Sequence, residues 1–202
     1  MRKKQGTLKP TVRQLEDELK REKYKKQYKR VLKSTIGTLV VVAAFSVLVA
    51  VLLLPVLQIY GHSMSPTLDE GDIVLSIRGS ELETGDLVSF YIGNKLLVKR
   101  YIAGPGQWVY IDEEGNVYVS DSAEGHWDSE PLDEPYISEK SRGDCNIEFP
   151  YQVPENRIFV LGDKRSTSVD SRNTSVGSIA EEQIVGKIVF RIWPLTEIGP
   201  VR

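Results

Sequence analysis

A chain of 202 residues has room for one domain of roughly 100 to 150 residues plus an attachment segment, which excludes a second full-sized domain. The formal charge of −2 conceals a polarity, because residues 1–33 hold 13 Lys/Arg against 4 Asp/Glu and residues 34–202 hold 13 against 24. A single cysteine, Cys145, excludes an intramolecular disulfide, and together with two histidines it makes a poor zinc ligand set, so no zinc site is expected.

The N-terminal arm, residues 1–35, is read as a basic cytoplasmic tail. From Pro10 to Lys33 it has no Gly and carries Glu/Lys pairs at helical spacing, which predicts a helix. A basic arm can bind nucleic acid, but this one runs directly into an apolar segment. Attraction to anionic lipid and the positive-inside rule explain it better, so no nucleic-acid partner is expected. Ile36 to Leu54 is uncharged over 19 residues. As a helix it covers about 28 Å, close to the hydrocarbon thickness of a bilayer. It exceeds the core of a cleavable leader, and Pro55-Val56-Leu57 follows it instead of a small-x-small site, so a retained single-pass anchor over 36–59 is expected. The N-terminus then faces the cytoplasm and residues 60–202 lie outside it.

Beyond Tyr60 the period shortens to two, broken by Gly, Asp, Asn and Pro. Strands are predicted at Ile73–Ile77, Leu87–Ile92, Lys95–Ile102, Trp108–Ile111, Val117–Val119, Arg157–Leu161 and Ile184–Ile192, with a hairpin at Gly93-Asn94 and a turn at Glu113–Asn116. This is a mainly β domain. Ser120–Pro154, polar and rich in Pro and acids, is expected to be a loop-rich insertion or a small subdomain. Cys145 falls within it, between Asp144 and Asn146, and reads as an inert thiol.

Three segments carry candidate chemistry. Gly61-His62-Ser63-Met64-Ser65-Pro66-Thr67 places a serine in a Pro-containing turn just past the apolar run. Taken alone it is an ordinary turn. In Leu96-Leu97-Val98-Lys99-Arg100-Tyr101-Ile102 a lysine sits mid-strand, on the side of Leu97 and Tyr101 by alternation, with Leu96, Val98 and Arg100 opposite. If that side is the core, desolvation disfavours the ammonium and leaves an amine able to accept a hydroxyl proton near neutral pH. The bland alternative is a lysine snorkelling from a strand edge. Third, Gly162-Asp163-Lys164-Arg165-Ser166-Thr167-Ser168-Val169-Asp170-Ser171-Arg172 gathers hydroxyls and opposite charges in one loop, where an Asp170/Arg172 pair can fix the shape and Ser168 can orient an amine.

In this order the three segments resemble the bacterial type I signal peptidases, membrane-bound serine proteases that remove leader peptides, and the likeness covers most of residues 36–193. The nucleophile pattern Ser-Met-x-Pro-Thr matches Ser63–Thr67, and Gly-Asp-x-Val is similar to Gly71–Val74 and again to Gly85–Val88. The base segment, Lys-Arg followed by Gly-x-Pro-Gly, matches Lys99-Arg100 and, with a small variation, Gly104-Pro105-Gly106, and the late segment matches Gly162-Asp163, Ser168, Asp170, Ser171 and Arg172. The resemblance implies a signal-peptidase-like antiparallel β-barrel or sheet with Ser63 as nucleophile, Lys99 as base, Ser168 orienting Lys99, Asp170 and Arg172 in support, and Met64 packing beside the cleft. Substrates would be secretory pre-proteins cut after small-x-small sites, with the lipid bilayer and the protein-export machinery as partners and no metal or organic cofactor needed. Two positions depart from the pattern: Lys164 replaces Asn, and Gly61 stands where some members have an oxyanion-hole serine, as in the Gram-positive branch. Oxyanion stabilisation then falls on backbone N–H groups, chiefly that of Ser63. His62 is expected to be a bystander, since adjacent strand side chains point to opposite faces. Two other readings fit the same residues: a membrane-anchored Ser-Lys protease cleaving itself or one regulatory partner, and a non-enzymatic surface-anchored β-domain.

Overall fold

A computed structural model describes residues 11–123, 127 and 130–201, so the first ten residues of the basic tail and five within the insertion lie outside the description. The chain divides after Val51 into a helical unit and a β unit.

The helical unit is one continuous helix, α1 (Val12–Leu53), where separate tail and membrane helices were expected. Nothing between Lys33 and Ile36 stops a helix, and Gly37 costs only about 1 kcal/mol relative to alanine. The hydroxyls of Thr38 and Ser46 donate to the carbonyls one turn back, at 3.0 and 2.9 Å, so the apolar stretch carries no unsatisfied hydroxyl. By length and composition the helix can cross a membrane. It ends earlier than residue 59. Pro55 has no N–H to donate and restricts Leu54 to extended backbone, and Val56–Gln58 form strand β1 instead.

Strand β1 opens the main sheet. With β2 (Ile73–Ile77), β3 (Leu87–Ile92), β4 (Lys95–Ala103), β8 (Arg157–Leu161), β9 (Ile179–Ala180), β10 (Ile184–Trp193) and β11 (Gly199–Pro200) it forms the order β1-β2-β10-β3-β4-β8-β9, β11 flanking β10. A second sheet, β6-β5-β7, joins β5 (Trp108–Ile111) to β6 (Val117–Ser120) and β7 (Tyr151–Gln152). Every pairing is antiparallel. The insertion is therefore less loose than its composition suggests: β7 closes it onto β5, and the Leu132 N–H donates to the Val117 carbonyl at 2.7 Å.

Period-two alternation distributes each central strand between separate cores. Along β8, Ile158 and Val160 join Val88, Phe90 and Ile179, while Phe159 and Leu161 join Ile102, Val109, Ile111 and Val117 beneath the second sheet. A third cluster of Ile59, Met64, Leu68, Val74, Leu87 and Ile188 underlies the turn that carries Ser63. Buried in this way on both faces, β4 leaves little water around any side chain in its middle.

Candidate active site

The Ser63 turn is pinned at several points. Met64 and Leu68 insert into the third cluster, 2% and 0% exposed, and the Leu68 N–H donates to the Met64 carbonyl at 2.9 Å. Gly61 holds φ at +83°, a left-handed conformation that a side chain would disfavour, and so reverses the chain just before Ser63. The Ser65–Pro66 peptide is cis. Ser65 Oγ donates to Asp69 Oδ1 at 2.5 Å, and Thr67 Oγ1 donates to Asp163 Oδ2 at 2.5 Å, tying the turn to the late loop. Among the described residues neither the hydroxyl nor the N–H of Ser63 has a hydrogen-bond partner. His62 lies in this turn rather than on a strand, so the alternation argument does not apply to it. Its imidazole is still turned away, exposed, with Nε2 3.3 Å from Glu70.

Lys99 is buried, 4% exposed, as the two-sided packing of β4 requires. Its Nζ donates to Ser168 Oγ at 3.0 Å. Burial pulls the amine from 10.5 down to about 8; the carboxylates of Asp170 and Asp163 oppose that drop and the Arg172 guanidinium adds to it. The snorkelling alternative is thereby excluded: this amine is held inside.

The late loop folds around its own charges. Arg172 forks onto Asp170, Nε to Oδ1 and Nη2 to Oδ2 both at 2.8 Å, and Asp170 Oδ2 also accepts the Gly162 N–H at 2.9 Å. The Lys164 carbonyl accepts the Ser168 N–H at 3.0 Å while the Lys164 N–H donates to the Ser63 carbonyl at 3.1 Å. One residue thus links the serine turn to the hydroxyl that holds Lys99. Gly162 is required at the junction, because a Cβ there would overlap Ser168 Oγ and come within 2.7 Å of the Ser63 carbonyl oxygen.

Sequence reasoning missed a deeper layer of charge. Arg100, fully buried, forks onto Asp163, with Nε to Oδ1 at 2.8 Å and Nη2 to Oδ2 at 2.5 Å, and its guanidinium lies 3.7 Å from the centre of the Tyr136 ring. Arg165 pairs with Glu134 of the insertion. The available signal was Arg100 itself: if the strand is buried on both faces, a guanidinium beside Lys99 cannot reach water and needs a carboxylate.

A cavity of about 40 Å³ opens beside Ser63, walled by Leu57–Gly61 and Met64 on one side and Leu96–Val98 on the other. Both walls are open strand edges. Among the described residues β1 pairs only with β2, and β4 is paired to β3 along Lys95–Arg100 but meets β8 only from Arg100 onward. An unengaged hydroxyl on a rigid turn, a dry amine held by a loop that is bonded to that turn's backbone, and a narrow slot between two open edges are features a hydrolase can use to hold an extended peptide and attack it covalently.

The sequence profile described as "Signal peptidase, peptidase S26" matches residues 32–193. Signal peptidase IB of Staphylococcus aureus (strain Mu50) is 36% identical over 160 residues, covering 69% of this chain and 78% of its own. Signal peptidase I of Streptococcus pneumoniae serotype 4 is 29% identical over 181 residues, covering 70% and 83%. A solved signal peptidase I from Enterococcus faecalis superposes with a TM-score of 0.38 at 22% identity, over 54% of this chain and 97% of that one. The chain belongs to the signal peptidase family, peptidase S26.

Proposed function

We propose that this enzyme cleaves N-terminal signal peptides from exported pre-proteins after small-x-small sites, with Ser63 as nucleophile and Lys99 as general base. The observation that carries the assignment is the buried Lys99 amine, held by Ser168 in a loop that is itself bonded to the Ser63 backbone. In its neutral form the amine takes the Ser63 proton as Oγ attacks the scissile carbonyl, then returns it to the leaving amine. A water activated by the same amine releases the acyl-enzyme. The unpartnered Ser63 N–H supplies a donor to the oxyanion. Asp170 and Arg172 keep Ser168 in place, Met64 anchors the turn, and Gly61 leaves it unobstructed.

The substrate lies extended between the two open edges, and a cavity of about 40 Å³ accepts only a small side chain from it. The basic tail stays in the cytoplasm, α1 anchors the protein in the bilayer and residues 60–202 work outside, next to the export machinery that delivers the precursors. The test is purified full-length protein in detergent with a precursor carrying an Ala-x-Ala site. Wild type cleaves it after the second Ala, and Ser63→Ala and Lys99→Ala do not. Cleavage by either variant at the wild-type rate overturns the mechanism.

A further inference from the structure

The segment between β6 and β7 contributes Glu134 and Tyr136 to the charged layer behind the site, and the mechanism above does not use them. Glu134 is 8% exposed and Arg165 1%. Arg165 Nη1 donates to Glu134 Oε2 at 2.9 Å and Nη2 donates to Oε1, a two-pronged clasp, and the Tyr136 hydroxyl donates to Oε1 at 2.9 Å. On its other side Arg165 turns Nε to the Gly162 carbonyl at 3.1 Å, and its backbone N–H donates to the Asp163 carbonyl at 3.0 Å. Gly162 is where the Ser63 carbonyl and the Ser168 hydroxyl converge. The Tyr136 ring, meanwhile, covers the guanidinium of Arg100, whose fork fixes Asp163 and through it Thr67 of the serine turn.

Both ends of this clasp reach the same place. Glu134 holds Arg165, Arg165 holds the Gly162–Asp163 backbone, and that backbone sets where Ser168 meets Lys99. An uncompensated Arg165 would be a buried charge in search of water, and the loop around Gly162 would have to open to admit it. Water admitted there would stand beside Ser168 Oγ, which is 3.0 Å from the Lys99 amine.

We propose that Glu134 is a positioning residue for the Ser63/Lys99/Ser168 centre, acting through Arg165, and that the insertion between β6 and β7 serves to deliver it. The proposal rests on the dyad reading above.

The test measures precursor cleavage by the full-length protein in detergent from pH 6 to 10, for wild type, Glu134→Gln, Glu134→Asp and Tyr136→Phe, with Ser63→Ala as the control. Glu134→Gln keeps the shape and removes the charge. Its kcat is expected to fall by about 10- to 100-fold with KM little changed, as loss of alignment without loss of binding predicts. The acid-limb midpoint of its pH profile should move upward from the wild-type value, because a wetter Lys99 holds its proton longer. Glu134→Asp, which keeps the charge, should recover part of both. If Glu134→Gln does not fold, Tyr136→Phe decides: it deletes one hydrogen bond to the carboxylate, leaves the ring over Arg100, and should show the same two changes on a smaller scale. A folded variant with wild-type kcat, or with a lower kcat and an unmoved midpoint, refutes the positioning role. Cleavage by Ser63→Ala would instead overturn the dyad, a result distinguishable from either.

Discussion

Replacing Lys99 with Met should make the protein more stable at neutral pH while abolishing its activity. The amine titrates at about 8 in the folded chain against 10.5 for a free lysine. A drop of that size, at about 1.36 kcal/mol per pH unit, is about 3 kcal/mol. The sign follows from proton counting. Between about pH 8 and 10.5 the unfolded chain binds more protons at this site than the folded one, so stability rises with pH through that window. Below it both states are protonated and the folded state carries the full penalty of a buried ammonium. Met has similar volume and no charge, so the variant escapes the penalty and loses only the hydrogen bond to Ser168, worth about 1 kcal/mol. The net expectation at pH 7 is a gain of about 2 kcal/mol, shrinking as pH rises and gone by about pH 10. Urea unfolding of both proteins in the same detergent, followed by tryptophan fluorescence at half-unit pH steps, measures the difference directly and cancels every other titrating group. A difference that is independent of pH, or a variant less stable throughout, would refute the claim that Lys99 is buried at a cost.

Three further predictions bear on the surroundings of Lys99. Gly162→Ala should abolish precursor cleavage and lower the melting temperature, since its Cβ has no room between Ser168 and the Ser63 carbonyl. Arg100→Met leaves Asp163 buried without its partner and should cost about 3 to 5 kcal/mol in denaturant unfolding, part of which the double variant with Asp163→Leu recovers. His62→Ala should cleave precursor within about twofold of wild type across the pH range, because a side chain 65% exposed and facing Glu70 has no route to the reacting groups.

The readable parts of the fold were those with a local signal. Strands β2, β3 and β5 fall where alternation and turn residues place them, and Lys99 is as dry as a lysine between apolar neighbours on both sides of a strand should be. β1 was hidden because Val56-Leu57 continues an apolar run, and only pairing with Val74 and Leu75 marks it as strand. The short strands β7, β9 and β11, two residues each, offer no period to detect. The break expected between tail and anchor was a change of polarity without a change of conformation, since helix propensity runs through both. The buried charges were the least legible of all. Asp170 and Arg172 are near neighbours in sequence and could be paired on paper, whereas Arg100 lies 63 residues from Asp163 and Glu134 lies 31 from Arg165. Such pairs answer to tertiary burial, which leaves no periodic trace in an insertion read as polar and loop-rich.

The mechanism depends on Lys99 being an unprotonated base at the pH of the reaction. NMR titration of the protein labelled with carbon-13 at lysine Cε, with the Lys99 signal identified by its loss in Lys99→Met, reads that proton directly, and the pH profile of kcat/KM for precursor cleavage reads its consequence. Both midpoints should fall together near about 8. A Lys99 signal titrating near 10.5, or a cleavage profile that does not follow it, would contradict the mechanism.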